Sequence, residues 1–338
     1  MDLDTFLTTL YVVVDDWYKQ AVGARVHVGA RERMSDSEVL TVALAGQWRV
    51  GVSWRSERGV VRWMQAHGRG WFPTMLGRSE FNQRVRGLWG LFIQLQQVVG
   101  QWLNQPDELY ECVDLVPLVA MSNGQATREA GHWLWESQAG HGGTSGGFFV
   151  GDHLLASVTP RGVVTGWLVG NADINDRWLL SAFLSARTGC PELVAPVAAT
   201  HASRAERPSP PLGHIGVLQA VGQPRTGWYL ADRGFNSRRW RELWATRYDA
   251  IVLCIPPAAD PERATWSRQD CLWLAAHRQI VDTVFARLSQ VFDFEHLNAH
   301  SRWGQYTRIA AKLAAYHLGL WFNQSLGRPL GALATLIT

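Results

Sequence analysis

The sequence predicts a mixed α/β protein in two parts: an all-helical N-terminal domain over 1–105, then a five-stranded mixed sheet flanked by helices over 106–338. Three observations carry this. Apolar residues recur at spacings of three and four as far as Trp102, Pro106 closes that region, and beyond it short β-branched or aromatic runs bounded by Gly and Pro alternate with helical patterns. The 338 residues are 47% hydrophobic and 18% charged, which provides for a core and excludes global disorder. Four distant cysteines (Cys112, Cys190, Cys254, Cys271) without a CxxC pair exclude a disulfide scaffold and a zinc ribbon. The N-terminus lacks the basic and apolar blocks of a signal peptide, and no run approaches 18 apolar residues. A soluble, cytoplasmic setting is expected.

Leu3, Phe6, Leu7, Leu10, Tyr11, Val14 and Trp17 define a first helix, and Ser35 with Glu38 forms a capping-box pattern before a second. A third spans Glu57 to His67. Phe81, Val85, Leu88, Phe92, Leu95, Val99 and Trp102 form a heptad-like seam, read as the buried face of the domain or as a dimer surface. Strands are expected at Tyr110–Val116, Phe148–Val158, Val163–Val169, Trp228–Ala231 and Ile251–Ile255. Helices are expected at Asn175–Arg187, Ser237–Thr246, Ser267–Val291 and Trp303–Phe322. An antiparallel meander followed by parallel crossovers matches the element order of a ribonuclease H-like sheet. Gly140–Gly147 reads as a loop and Pro191–Pro224 as a surface excursion.

Formal charge is only +3, yet 30 of the 32 Lys and Arg residues are Arg, and from Lys19 to Arg86 twelve basic residues face five acidic ones. Such a module suits a nucleic-acid backbone, or is simply a solvated arginine face. Asp114 lies in or at the end of the first strand and Asp232 at a strand-to-turn position. Buried carboxylates are costly unless paired or metal-bound, and hard oxygen donors suit Mg²⁺. Each also has a plainer reading: a capping aspartate at 114, an ion pair with Arg233 or Arg238 at 232. Asp282 shares a stripe of the long helix with Arg278, where an i,i+4 ion pair is the alternative.

At these residues the chain resembles the DDE transposases of bacterial insertion sequences, over nearly its whole length. Glu111-Cys112-Val113-Asp114-Leu115-Val116-Pro117-Leu118 resembles the segment with the family's first catalytic aspartate. Gly147–Gly151 leading to His153 and Leu154 resembles its second strand, and Gly170-Asn171 with Asp173 and Asp176-Arg177 its Gly-Asn…Asp element. Leu230-Ala231-Asp232-Arg233-Gly234-Phe235 is similar to the second aspartate in its Asp-(Lys/Arg)-Gly-(Tyr/Phe) setting. Arg278, three residues and Asp282 match the helix of the third acid, and Met34–Glu38, Phe72-Pro73 and Phe81-Asn82 are also family-like.

The resemblance implies a ribonuclease H-like core in which Asp114, Asp232 and Asp282 hold Mg²⁺, with Mn²⁺ as a substitute, and catalyse two-metal cleavage and strand transfer on DNA. Arg278, His153, Arg233, Arg84 and Arg86 are the expected DNA contacts. Partners would be transposon terminal inverted repeats and target DNA, held by a homodimer at the nucleoid. The chain departs from the pattern in several places. Asp282 stands where the family mostly carries Glu, with Glu295 as a rival ligand; His153 replaces a lysine; Ser289 and Ala275 replace a Lys and a Tyr. No GxxxxGK[ST] occurs, which argues against P-loop chemistry; Asp114-Leu115-Val116 lacks the second acid of the Asp-x-Asp that dehalogenase-type chemistry needs, and His132, His141 and His153 match no zinc spacing. A domesticated DNA-binding derivative and a structure-selective metal nuclease are the competing readings.

Overall fold

The computed structural model describes residues 1–23, 32–103, 105, 108–122, 138–141, 147–189, 220–221, 227–297, 299 and 301–338. Arg25, Arg31, Pro106, His132, Cys190, loop residues 142–146 and most of Pro191–Pro224 lie outside them. The chain forms two compact units, Met1–Leu103 with Arg287–Thr338, and Asn104–Ala286. The sequence division at 105 assigns 287–338 to the second domain; the contacts group it with the first.

In the helical unit, α1 (Leu3–Ala21) is capped by Asp2 and buries Phe6, Leu7, Leu10, Val14 and Trp17. Ser35 and Glu38 form the expected capping box of α2 (Asp36–Ala45), and Ser56 caps α3 (Glu57–His67). The single expected seam helix is two, α4 (Arg78–Gly87) and α5 (Trp89–Trp102), parted at Leu88 with φ −98° and ψ 8°. Gly87 and Gly90 flank the break, and glycine is a poor helix former. The C-terminal helix α9 (Arg302–Ser325) is buried on every face from Ile309 to Leu320, which makes it the centre of the unit. It packs on α5, where His317 Nδ1 lies 2.9 Å from the Gln96 carbonyl oxygen. The seam residues Phe92, Leu95 and Val99 are thereby covered within the unit, while Trp102 stays 42% exposed.

The second unit is built on a mixed sheet. Its five main strands are β1 (Glu111–Ser122), β3 (Phe148–Val158), β4 (Val164–Asn171), β6 (Trp228–Ala231) and β7 (Ile251–Leu253), in the order β4-β3-β1-β6-β7. β3 runs antiparallel to β1 and β4, whereas β1, β6 and β7 are parallel. Two strands too short to read from sequence, β2 (Gln138–His141) beside β3 and β5 (Ala220–Val221) beside β4, bring the described total to seven. Helices α6 (Asp176–Thr188) and α7 (Arg238–Tyr248) bury Trp178, Leu179, Phe183, Trp240 and Trp244 against Val113, Leu155, Leu168 and Tyr229. The long helix α8 (Arg268–Phe292) follows. Among the described residues no helix is long and apolar enough to cross a membrane.

A buried ion pair that sequence reading does not anticipate ties these strands together. Arg187 of α6 donates both Nη groups to Glu111 of β1, one at 3.1 Å. Ser157 Oγ of β3 donates to the same carboxylate at 2.6 Å, and Arg187 reaches the Tyr229 hydroxyl of β6 at 3.2 Å. Removing one partner strands a buried charge, so Arg187→Met is expected to cost about 3–5 kcal/mol. The double variant Arg187→Met/Glu111→Gln is expected to cost less than the single one. Urea unfolding of the variants checks both, and a single-variant loss under about 1 kcal/mol would mean that the pair does not hold the sheet.

Candidate active site

The parallel register sets Cys112 beside Leu230 and Val113 beside Ala231. One residue further on each strand stand Asp114 and Asp232. Side chains alternate along a strand, and Val113 belongs to the core facing α6 and α7, so Asp114 points to the opposite face. There it meets α8: the Cys112 thiol lies 3.5 Å from the His277 carbonyl oxygen, and Arg278 Nη1 donates to Asp114 Oδ2 at 3.0 Å. Arg278 Nη2 lies 3.6 Å from Asp232 Oδ1. One guanidinium therefore bridges the two aspartates, in place of the Arg278–Asp282 pair that helix spacing alone offers.

Asp282 lies one turn further along α8 and is exposed, yet its charge reaches both Asp114 and Cys112. The Asp114 side chain is only 19% exposed against 53% for Asp232. Burial pushes the Asp114 carboxyl up to about 7; the Leu115 amide and Arg278 oppose this, and Asp282 and Asp232 add to it. Burial likewise pushes the Cys112 thiol up to about 12, which makes it a packing group rather than a nucleophile.

Asp176, at the start of α6, is a fourth acid that the sequence reading placed in a motif but not in the site. Burial raises its pKa first, and Asp232 raises it further against the pull of Arg177. A Cβ at Gly234 would come within 2.9 Å of Asp176 Oδ2, so the glycine lets the turn after Asp232 close onto this carboxylate. Asn175 caps the helix by accepting from the Arg177 amide, which sets Asp176 in its first turn.

Two tests bear on a divalent cation. The donor chemistry fits: Asp114 and Asp232 share a single guanidinium, Asp282 stands a turn away on α8, and burial, with the charges of Asp282 and Asp232 added, raises the Asp114 pKa. As the side chains stand, no three His, Cys, Asp or Glu among the described residues converge closely enough to hold a metal ion. Arg278 takes the space between Asp114 and Asp232.

The expected DNA contacts divide. Arg233 is exposed in the turn directly after Asp232. His153 pairs across the sheet with Pro117, on the face opposite Asp114, and is buried with the Phe149 ring 5.6 Å away. It is not brought to the aspartates. In the helical unit Arg84 is held by Glu32 at 2.7 Å, Asp36 at 2.6 Å and the Met34 carbonyl oxygen at 2.8 Å, which is a structural anchor, whereas Arg86 is exposed. Glu295 falls past the end of α8, in the helical unit. No family model, no curated protein and no solved structure matches the chain.

An acid whose pKa is higher folded than unfolded binds its proton preferentially in the native state, so its contribution to stability falls as pH rises. For Asp114 the loss begins near 3.8 and is complete above about 7. Asp114→Asn is expected to remove on the order of 2 kcal/mol of the stability difference between pH 5 and pH 8. Urea midpoints of wild type and variant at the two pH values measure it; an equal loss in both would show that the carboxyl is not the group responsible.

Proposed function

We propose that the chain is a Mg²⁺-dependent DNA transposase: an endonuclease at insertion-sequence ends and a strand transferase that joins the 3′-hydroxyl to target DNA. One observation carries this reading. Asp114, within β1, and Asp232, directly after the parallel neighbour β6, are bridged by Arg278, from the helix that bears Asp282 a turn later. The strand order β4-β3-β1-β6-β7, with β3 alone antiparallel among the five, supports a ribonuclease H-like core.

Asp114, Asp232 and Asp282 would hold Mg²⁺, or Mn²⁺ in its place. Bound there, the metal would activate the attacking oxygen and stabilise the leaving 3′ oxygen. The chain's own groups do the rest. Arg278 balances the carboxylates until DNA is present and then has a phosphate to donate to; Arg233, exposed beside Asp232, donates to the backbone next to the cut. Asp176 keeps the turn that carries Asp232 in place through the close approach at Gly234. Partners are the terminal inverted repeats and target DNA, with a homodimer formed on DNA at the nucleoid.

A second reading, a transposase-derived DNA-binding protein without cleavage, is favoured by one observation: no described trio of acids stands ready for metal, and Arg278 fills the gap. Incubation with end-bearing DNA and Mg²⁺ or Mn²⁺ separates the two. The transposase reading expects nicked ends joined to a target plasmid; DNA binding without product at any metal concentration supports the derivative.

Asp114→Ala, Asp232→Ala and Asp282→Ala are each expected to drop cleavage below ~1% of wild type, with Asp282→Glu keeping most of it. Arg278→Ala is expected to lower cleavage roughly 10–100-fold. Full activity of Asp282→Ala in a gel assay would mean that the third ligand is misassigned.

A further inference from the structure

The helical unit encloses a cavity of about 180 Å³ between the turn after α2, the starts of α3 and α4, the segment after α8 and one side of α9. Arg49, Arg55, Arg58, Arg78, Arg308 and Lys312 line it, against only two carboxylates, Glu57 and Asp293. Both carboxylates are engaged. Glu57 takes Arg308 through two bonds of 3.0 and 2.9 Å, and Asp293 Oδ1 lies 3.0 Å from His296 Nδ1. Among the described residues no carboxylate pairs with Arg49, Arg55, Arg58 or Arg78. Arg49 spends Nη1 on the carbonyl oxygens of Gly46 and Trp48, at 2.5 and 3.0 Å, and its Nε is buried without an acceptor. Lys312 is 2% exposed and donates to the Phe292 carbonyl oxygen. Burial first, and then Arg49, pushes its amine down to about 7, against the opposing pull of Glu57 and Asp293.

We propose that this cavity is a phosphate-binding site, in which Arg49 and Lys312 meet the phosphoryl oxygens from within and Arg58 and Arg78 close over them from the rim. Several guanidinium forks around one ammonium suit a tetrahedral dianion better than a planar carboxylate, because each fork can take two of its oxygens. Size narrows the ligand. Drug-sized molecules occupy roughly 300–1,000 Å³, so this space takes a phosphate group but no nucleoside. Two sources share that chemistry: free inorganic phosphate and the terminal phosphate of a DNA strand. None of the residues that line the cavity belongs to the sheet unit that carries the aspartates.

The test is calorimetric titration of the full chain with inorganic phosphate in EDTA, against chloride at matched ionic strength. A single saturable site is expected, weakened at least tenfold in Arg58→Gln/Arg78→Gln. Both side chains are exposed and unpaired, so the fold should be untouched, and the melting temperature without phosphate verifies this. Arg49→Gln, read against its own melting curve, is expected to weaken binding as well. Displacement by phosphate of a 5′-phosphorylated oligonucleotide, but not of its 5′-hydroxyl counterpart, identifies a strand end as the source. Saturable phosphate binding without such displacement identifies the free ion. Absence of a saturable phosphate isotherm, or equal affinity in wild type and the double variant, overturns the proposal.

Discussion

The buried pair of Glu111 and Arg187 is the constraint from which the geometry of the sheet unit follows. Two charges withdrawn from water are tolerated only when their bonds are complete, and here completion needs Ser157 of β3 and Tyr229 of β6 as well. A slip of one residue in β1 would turn Glu111 to the other face and leave Arg187 without its counter-ion. Three residues on from Glu111, that same register decides where Asp114 points. The stability of one face and the chemistry of the other are therefore set by one alignment.

On that other face the balance of charge is deliberately short. Asp114 and Asp232 share Arg278, the more buried of the two resists ionisation, Asp282 adds its charge from a turn away, and a fourth acid, Asp176, presses on the turn behind Asp232. An arrangement built only for stability would place apolar groups here, as the opposite face does with Val113, Leu155 and Phe183. Carboxylates gathered where they cost stability are a pattern of sites that act on charged ligands.

Much of this was legible in the sequence because the signals are local. The ends of β3, β6 and α3 follow from β-branched runs and from Ser and Gly punctuation, and the placement of Asp114 beside Asp232 follows from strand order. What was not legible depends on partners far along the chain. Arg187 reads as one more basic residue near a helix end, and its partner lies 76 residues away. The apolar stripe through Phe81 and Trp102 is continuous as a pattern, so the break at Leu88 escapes a periodicity argument. His153 stands where the resemblance implies a lysine, but strand parity turns it away from the aspartates. The arginine cavity joins residues 49–82 to 293–312, which no spacing rule connects.

The helical unit is discontinuous: residues 104–286 are inserted between the helices α1–α5 and the central helix α9 that they surround. During synthesis, α5 emerges with its apolar stripe uncovered while roughly 200 further residues are added. At about 5–20 residues per second that interval lasts roughly 10–40 s. The sheet unit, contiguous from 104 to 286, can close on itself in that time, so the nascent N-terminal helices wait until α9 has emerged, and chaperones have an opportunity there.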